Sequence, residues 1–444
     1  MNDQNRKFAI NALDSQEDRV KVAIDKMDEN KAYKFACEQV GGDPDGSMLI
    51  SFQKRFSDYR QNWREQPKKL IDGTHSLSAM KDEKVVPLSV DIEVASVCDL
   101  ACPFCYRQHV ATPDSLMKPE LCFNILDQCA DLGVPSVKFN WRGEPLLNPK
   151  LPEFIHYAKR NGILDTIINT NAVTLDEKKA RQIIEAGLDL MIYSFDGGSK
   201  ESYEKMRPGR FNEVLFEDVY ENIKTFSRVR DEMGAVFPRT KIQMILTEET
   251  FKEQEKFLEL FNDYVDDVSV KAYTERGGDI ADLDDDTFSA IKDFVSNKNL
   301  SLKTPYWKDS KGDIYISEHR LPCEQVFQRM MVTTDGSVAM CCYDWGVEYP
   351  IGYVDQKSID NGDLEYEKIL SSVESNKKGF VGFMDNISMP KRYSKPKKIV
   401  STLSDVWYGG IVSNVREKHL CGQLEKVEVC TRCPFKETYK WVKI

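Results

Sequence analysis

Cys98, Cys102 and Cys105 fall in the run CDLACPFC, directly after a strand-like stretch. A cubane four-iron cluster needs four donors, and when one tight loop supplies three thiolates the fourth iron is open to a small chelating molecule. Zinc is the other reading of clustered thiolates. Structural zinc favours two Cys pairs, or Cys with His, closing a tetrahedron, and near this loop only His109, four residues on, could complete one. A second group, Cys323, Cys341, Cys342, Cys430 and Cys433, ends in a CxxC with Thr431 and Arg432 between.

Composition suits an intracellular enzyme. The chain has 444 residues, enough for two or three domains, with 41% apolar residues to fill cores and 30% charged residues to solvate them. A formal net charge of −11 gives no general attraction to nucleic acid or anionic lipid, so no nucleic-acid partner is expected. The first twenty residues are polar and charged, and no apolar stretch reaches membrane length. The expectation is a cytoplasmic protein whose twelve cysteines stay reduced.

The thiolates need a scaffold. From about residue 88, strand-like and helical segments alternate, the pattern of a parallel sheet with crossover helices. Six strands are predicted: Leu88 to Ala95, Ser136 to Trp141, Asp165 to Asn171, Leu188 to Phe195, Thr240 to Leu246 and Val268 to Tyr273. Helices starting near Pro119, Pro149 and Thr174 end on Gly133, Gly162 and Gly187, the residue type that accepts a left-handed backbone past the last turn. Thr174 and Glu177 read as a capping box. Cys122 and Cys129 sit on the apolar stripe of the first helix and read as core. In parallel barrels the loops after the strands carry the chemistry. Here those loops hold the three cysteines, then Arg142, Gly143, Glu144 and Pro145, then Asn169 to Asn171, then Ser194 to Asp196. Further on, Met330 to Met340 reads as a hairpin turning at Asp335 and Gly336, which sets Cys341 and Cys342 at the end of its second strand.

CxxxCxxC with an aromatic, Phe104, before the last cysteine resembles the signature of the radical S-adenosylmethionine (SAM) superfamily, and the likeness covers roughly Pro87 to Tyr273. The resemblance implies an α/β fold, a partial (β/α)6 TIM-like barrel. It implies that SAM chelates the open iron of a [4Fe–4S] cluster held by Cys98, Cys102 and Cys105. One electron, drawn from a donor such as flavodoxin or ferredoxin, then splits the sulfonium into methionine and a deoxyadenosyl radical that takes a substrate hydrogen. The RGEP segment stands where the family usually has Gly-Gly-Glu-Pro, which implies that Gly143 and Glu144 hold the methionyl ammonium. Asn169, Asn171, Ser194 and Asp196 match places where the family binds the cofactor's carboxylate and ribose hydroxyls. Read from the residues alone, Asn171 and Asp196 also suit turn formation. Arg142, which replaces the usual glycine, suits either a surface ion pair or an anion contact in the cavity.

The series PCEQVF, DGSV, CCYDW, IGYV and CTRCP resembles the auxiliary-cluster domain called SPASM in its full form and twitch in its reduced form. The extra CxxxxxCxxxC portion of the full form is absent. The implied ligands of one auxiliary [4Fe–4S] cluster are Cys323, Cys341 or Cys342, Cys430 and Cys433, with Zn²⁺ open as the alternative. Cys421 and the spare member of the Cys341/Cys342 pair read as core residues, or as a hydrogen-atom donor to a substrate radical. The expected organisation is an N-terminal helical extension over 1–86, the barrel over 87–285, and a small α+β cluster domain over 286–444 with an insertion at about 356–403.

In the extension, Phe52, Phe56, Tyr59 and Trp63 recur at helical spacing and are expected to pack a helix onto the barrel. No three-stranded peptide-recognition sheet is visible there. The insertion carries Lys377, Lys378, Lys391 and Arg392, either a lid that holds a phosphate or a solvated loop. His75, His109, His156, His319 and His419 are scattered, with surface or satisfied core as their default. The expected function is hydrogen abstraction from a small polar substrate, an activated sugar or nucleotide-linked derivative, ending in oxidation, dehydration or epimerisation. Peptide or protein side-chain modification, as in maturases of ribosomal peptides or sulfatases, is the alternative. A non-catalytic iron–sulfur electron-transfer protein is the second.

Overall fold

Period-two alternation, which gives a strand two different faces, builds the part of the molecule that carries the site. Six strands follow one another: β1 (Ser89–Ile92), β2 (Ser136–Lys138), β3 (Asp165–Thr170), β4 (Leu190–Ser194), β5 (Arg239–Leu246) and β6 (Asp267–Ala272). On one face Val90, Val137, Ile168, Met191, Ile242 and Met244 are fully buried. On the other, Asp91, Lys138, Gln243 and Lys271 line a cavity. The computed structural model describes residues 19–105, 107, 114–247, 249–272, 306–308, 313–356, 399–431, 433 and 439–444.

Strands adjacent in sequence are adjacent in the sheet, and all five pairings from β1 to β6 are parallel. This single winding direction is that of the expected partial barrel. The predicted strands are in place, with ends shifted by no more than three residues. The first runs only to Ile92, because the next residues leave the β2 ladder: Ala95 bridges Leu116 instead.

Helices α1 (Lys31–Val40) and α2 (Ser47–Ile71) precede the barrel, and α3 (Pro119–Leu132), α4 (Leu151–Arg160), α5 (Glu177–Ala186), α6 (Lys200–Met206), α7 (Phe216–Glu232) and α8 (Gln254–Phe261) lie between or beside its strands. Cys122 and Cys129 are buried on α3 with Ile125 and Leu126, so both are core, as expected. Gly133 and Gly187 close α3 and α5 with φ of 80° and 91°. The capping box expected at Thr174 and Glu177 is not formed. Asp176 is the N-cap of α5, its carboxylate accepting from Lys179 N at 2.7 Å, because a carboxylate two residues closer to the first turn reaches the free amides that Thr174 does not.

The extension covers the N-terminal ends of the strands, away from the cysteine loop. Arg19 donates twice to Asp165 at 2.7 Å, and Asn30 donates to Asp189, which also takes Lys159 Nζ at 2.7 Å. Phe52, Phe56 and Tyr59 are buried with Leu88 and Leu164, the packing expected for α2.

After the barrel, β9 (Arg329–Val332) and β10 (Ser337–Ala339) form the expected hairpin, with β11 (Pro350–Tyr353) beyond. Here the sheet continues across the anticipated division: β9 lies parallel to β1, pairing Ser89 with Arg329 through Ile92 with Val332. The result is a nine-stranded sheet ordered β11-β10-β9-β1-β2-β3-β4-β5-β6. Strands β7 (Tyr306–Lys308), β8 (Ile314–Arg320) and β12 (Tyr439–Lys443) form a separate antiparallel sheet. Short helices α9 (Gln325–Gln328), α10 (Leu403–Trp407), α11 (Gly410–Leu420) and α12 (Glu428–Thr431) complete the C-terminal part. The boundary at 285/286, His109 and most of the 356–403 insertion with its basic residues lie outside the described residues.

Candidate active site

The loop after β1 is fixed by backbone contacts on both sides. Ser96 N donates to Ser115 O at 3.0 Å, Ala101 N to Pro208 O at 2.8 Å and Arg210 N to Asp99 O at 2.7 Å. Gly143 lies against its inner edge. Its φ is +63°, and a Cβ there would stand 2.4 Å from Ala95 O and 2.6 Å from Val97 O, so only glycine lets the β2 loop approach so closely. Glu144 N then reaches Val97 O at 2.9 Å.

Cys98, Cys102, Phe104 and Cys105 line one cavity of about 680 Å³ together with Gly143, Glu144, Asn169, Asn171, Ser194 and Asp196. Every barrel residue that the resemblance assigned to the cluster or the cofactor lines this cavity. Burial pushes the Cys98 thiol well above its ordinary value, with the Glu144 carboxylate acting the same way. Burial also pushes Cys102 up to about 12, against the pull of the Arg207 guanidinium. Coordination to a metal would deprotonate thiols so placed.

Glu144 is 2% exposed, and burial raises its carboxyl to about 7. It accepts from Thr170 Oγ1 at 2.7 Å, Asn171 N at 2.8 Å and Leu146 N at 3.0 Å. A carboxylate has about four acceptor positions, so three are taken and one direction stays open. Asn171 forms the turn that its residue type suggested, with Oδ1 accepting from Val173 N, while Nδ2 donates to Asp99 at 2.7 Å. Asn169 Oδ1 is buried with no hydrogen-bond partner among the described residues. Asp196 also accepts three times: Oδ2 takes both Nε and Nη2 of Arg207, at 2.9 and 2.5 Å, and Oδ1 takes Ile245 N at 2.6 Å. Its first task is to hold Arg207, whose guanidinium lies 5.8 Å from the Phe104 ring centre.

Arg142 is not a surface pair. It is buried in a two-bonded pair with Glu93, rests on the Trp141 ring at 4.7 Å and donates to Trp345 O at 2.7 Å. Sequence reasoning missed Glu93 because a lone carboxylate past a strand carries no spacing signal.

The Cys341 and Cys342 side chains diverge. Cys341 is buried, its thiol raised by burial and then by neighbouring Cys342, Cys433 and Cys430. Cys342 lines the barrel cavity with Trp345, its thiol donating to Gln325 at 3.4 Å and its carbonyl accepting from the Trp141 and Trp345 indoles at 3.1 and 3.0 Å. Cys421 is exposed, not core. His419, which had no sequence signal, is buried between Cys323 N, donating to Nδ1 at 3.0 Å, and Cys430 Sγ, 3.5 Å from Nε2. Among the described residues no three His, Cys, Asp or Glu side chains converge as tightly as a single metal ion requires.

The barrel residues fit an iron cluster with a chelating cofactor: three thiols on one wall, an orphaned amide oxygen and a carboxylate with acceptor capacity to spare. The family model "Radical SAM superfamily" matches residues 92–261, and the SPASM model, "Iron-sulfur cluster-binding domain", matches 323–377. Among curated relatives, a tungsten-containing aldehyde ferredoxin oxidoreductase cofactor-modifying protein of Pyrococcus furiosus is 26% identical over 170 residues, 36% of this chain and 44% of the relative. The GTP 3',8-cyclase of Chlorobaculum tepidum is 34% identical over 127 residues, 28% of this chain and 38% of the relative. The chain spans less than half the length of these relatives. The solved structure of Streptococcus suis SuiB bound to precursor peptide SuiA aligns at 16% identity over 81% of this chain and 74% of that chain, with a TM-score of 0.47. No helix among the described residues is long and apolar enough to cross a membrane. With both of its iron–sulfur segments matched, the chain carries a radical SAM segment over residues 92–261 joined to a SPASM iron–sulfur cluster-binding segment over residues 323–377.

Proposed function

We propose that this enzyme abstracts hydrogen from a C–H bond of a small polar substrate, an activated sugar or a derivative of one, leading to oxidation, dehydration or epimerisation. One observation carries the reading: the β1 cysteines and Cys342 with Trp345, from the cluster segment, face the same polar cavity of about 680 Å³. A cavity of that size suits a cofactor with a small ligand beside it. Cys98, Cys102 and Cys105 hold the catalytic cluster. Glu144 orients the cofactor ammonium, and Asn169 with Ser194 takes its polar edge. Bound SAM supplies the radical that removes the hydrogen. The Trp141 and Trp345 indoles wall the cavity against water. Cys341, with Cys323, Cys430 and Cys433, would hold the auxiliary cluster, which would supply a one-electron redox centre beside the cavity.

Anaerobically reconstituted protein with dithionite is expected to yield deoxyadenosine, and replacing Cys98, Cys102 and Cys105 with Ala to abolish it. A protein that stores clusters without cleaving SAM would end the reading. A deuterated sugar nucleotide passing label into deoxyadenosine supports the substrate class. Label arriving only from a peptide would transfer the assignment to peptide modification.

A further inference from the structure

Two large cavities meet inside the barrel. The upper one is the candidate active site. The lower, about 1020 Å³, lies between α2 and the N-terminal ends of the strands, with Tyr59 and Trp63 on one side and Arg239 and Asp267 on the other. Five residues line both: Asp91, Lys138, Gln243, Lys271 and Arg329. The junction is therefore built from three cations, one amide and one carboxylate. β2 and β6 supply the two lysines, and β9 the arginine.

Other arginines of the upper wall are committed to carboxylates: Arg142 to Glu93, Arg207 to Asp196, and Arg107 with Arg210 to Asp114. Arg329 is matched less well. Its Nη1 stands 3.5 Å from Asp91 Oδ2, longer than a normal hydrogen bond. Its Nε is buried with no hydrogen-bond partner among the described residues, and its guanidinium lies over the Trp63 ring at 4.9 Å. A buried donor with no acceptor is costly, and a guanidinium is shaped to receive two oxygens of one anion.

We propose that Arg329, Lys138 and Lys271 bind an anionic group of the substrate, a carboxylate or a phosphate. The C–H bond to be broken then lies in the upper chamber and the anionic end points down the barrel. This inference rests on the reading of the upper chamber as the reaction site. It adds that the substrate is an acid or a phosphate ester, and it gives the lower chamber the part of the molecule beyond the anion.

Calorimetric titration of anaerobically reconstituted enzyme with inorganic phosphate, and separately with succinate, tests it at low ionic strength. At least one is expected to bind saturably, with Arg329→Gln and Lys271→Gln each weakening binding tenfold or more. Arg329→Lys is expected to lose less than Arg329→Gln, which separates charge from loss of fold, as do unchanged melting curves. Lys54→Gln, on the exposed side of α2, leaves binding intact. Phosphate alone supports a phosphorylated substrate, and succinate alone a carboxylic acid. No saturable binding of either, or binding unaltered in both Gln variants, overturns the proposal. Deoxyadenosine formation by the unaltered enzyme decides the upper-chamber reading separately: formed without anion binding, it sinks only this inference.

Discussion

Arg142 and Glu93 face each other in the interior, Nε to Oε1 at 2.6 Å and Nη2 to Oε2 at 2.8 Å, with side chains 3% and 0% exposed. The third arm of the guanidinium donates to Trp345 O. One side chain thus ties the loop after β2 to the loop after β1 and to the cluster segment.

Arg142→Leu strands the Glu93 carboxylate in the interior. The expected loss is about 3–5 kcal/mol, because a buried charge deprived of its partner keeps its desolvation cost. Arg142→Leu combined with Glu93→Leu should recover a large part of that. Urea denaturation of the two single variants and the double variant measures the coupling, and a double variant no better than the worse single one would refute the pairing.

Gly143→Ala drives a methyl into the Ala95 and Val97 carbonyls at a φ that disfavours side chains. A destabilisation of roughly 3 kcal/mol is expected, with the cysteine loop displaced. Iron bound per chain after anaerobic reconstitution should fall together with the melting temperature.

Glu144 gives a pH signature in the cluster-free protein. Burial raises its carboxyl from 4.5 to about 7, so the folded chain binds this proton more tightly than the unfolded one. Stability from this group is complete below about 4.5, declines as pH rises toward 7, and is gone above it, a total of roughly 3 kcal/mol. Glu144→Gln removes the dependence. Asp344, raised to about 6 by burial, is present in both proteins, so the difference between their profiles at pH 5 and 8 isolates Glu144. Parallel profiles would show that Glu144 does not titrate there.

Cys341→Ser and Cys342→Ser should separate cleanly. The first is expected to lower bound iron by about four atoms per chain, one cubane. The second should leave iron intact, because Cys342 faces the barrel cavity. Iron assay with Mössbauer spectroscopy distinguishes them, and equal losses would return Cys342 to the ligand set.

Strand order, the cysteine loop and the rim residues were legible because each is written in local pattern: alternation along β5, glycine after α3, three thiols in eight residues. What escaped depends on residues far apart in the chain. Glu93 finds Arg142 across 49 positions and Thr334 N across 241. Asp176 displaced Thr174 as a cap because the chain enters α5 two residues later than the capping pattern suggested. His419 reaches Cys323 across 96 positions, and no periodicity announces a side chain whose partners arrive from another segment. Asp196 lines the cavity as read, but residue type says nothing of an arginine eleven positions on whose Nε and Nη2 both bond its Oδ2.

The parallel contact between β1 and β9 reaches into how the molecule can be made. Leu88 N to Gln328 O at 2.7 Å and Glu93 N to Val332 O at 2.8 Å extend the ladder past both strands. Cutting the chain before β9 would leave β1 a bare, apolar border, the kind of rim that recruits other chains and precipitates. The catalytic half is therefore not a portable module: its first strand waits, through translation of more than two hundred residues, for the neighbour that finishes it.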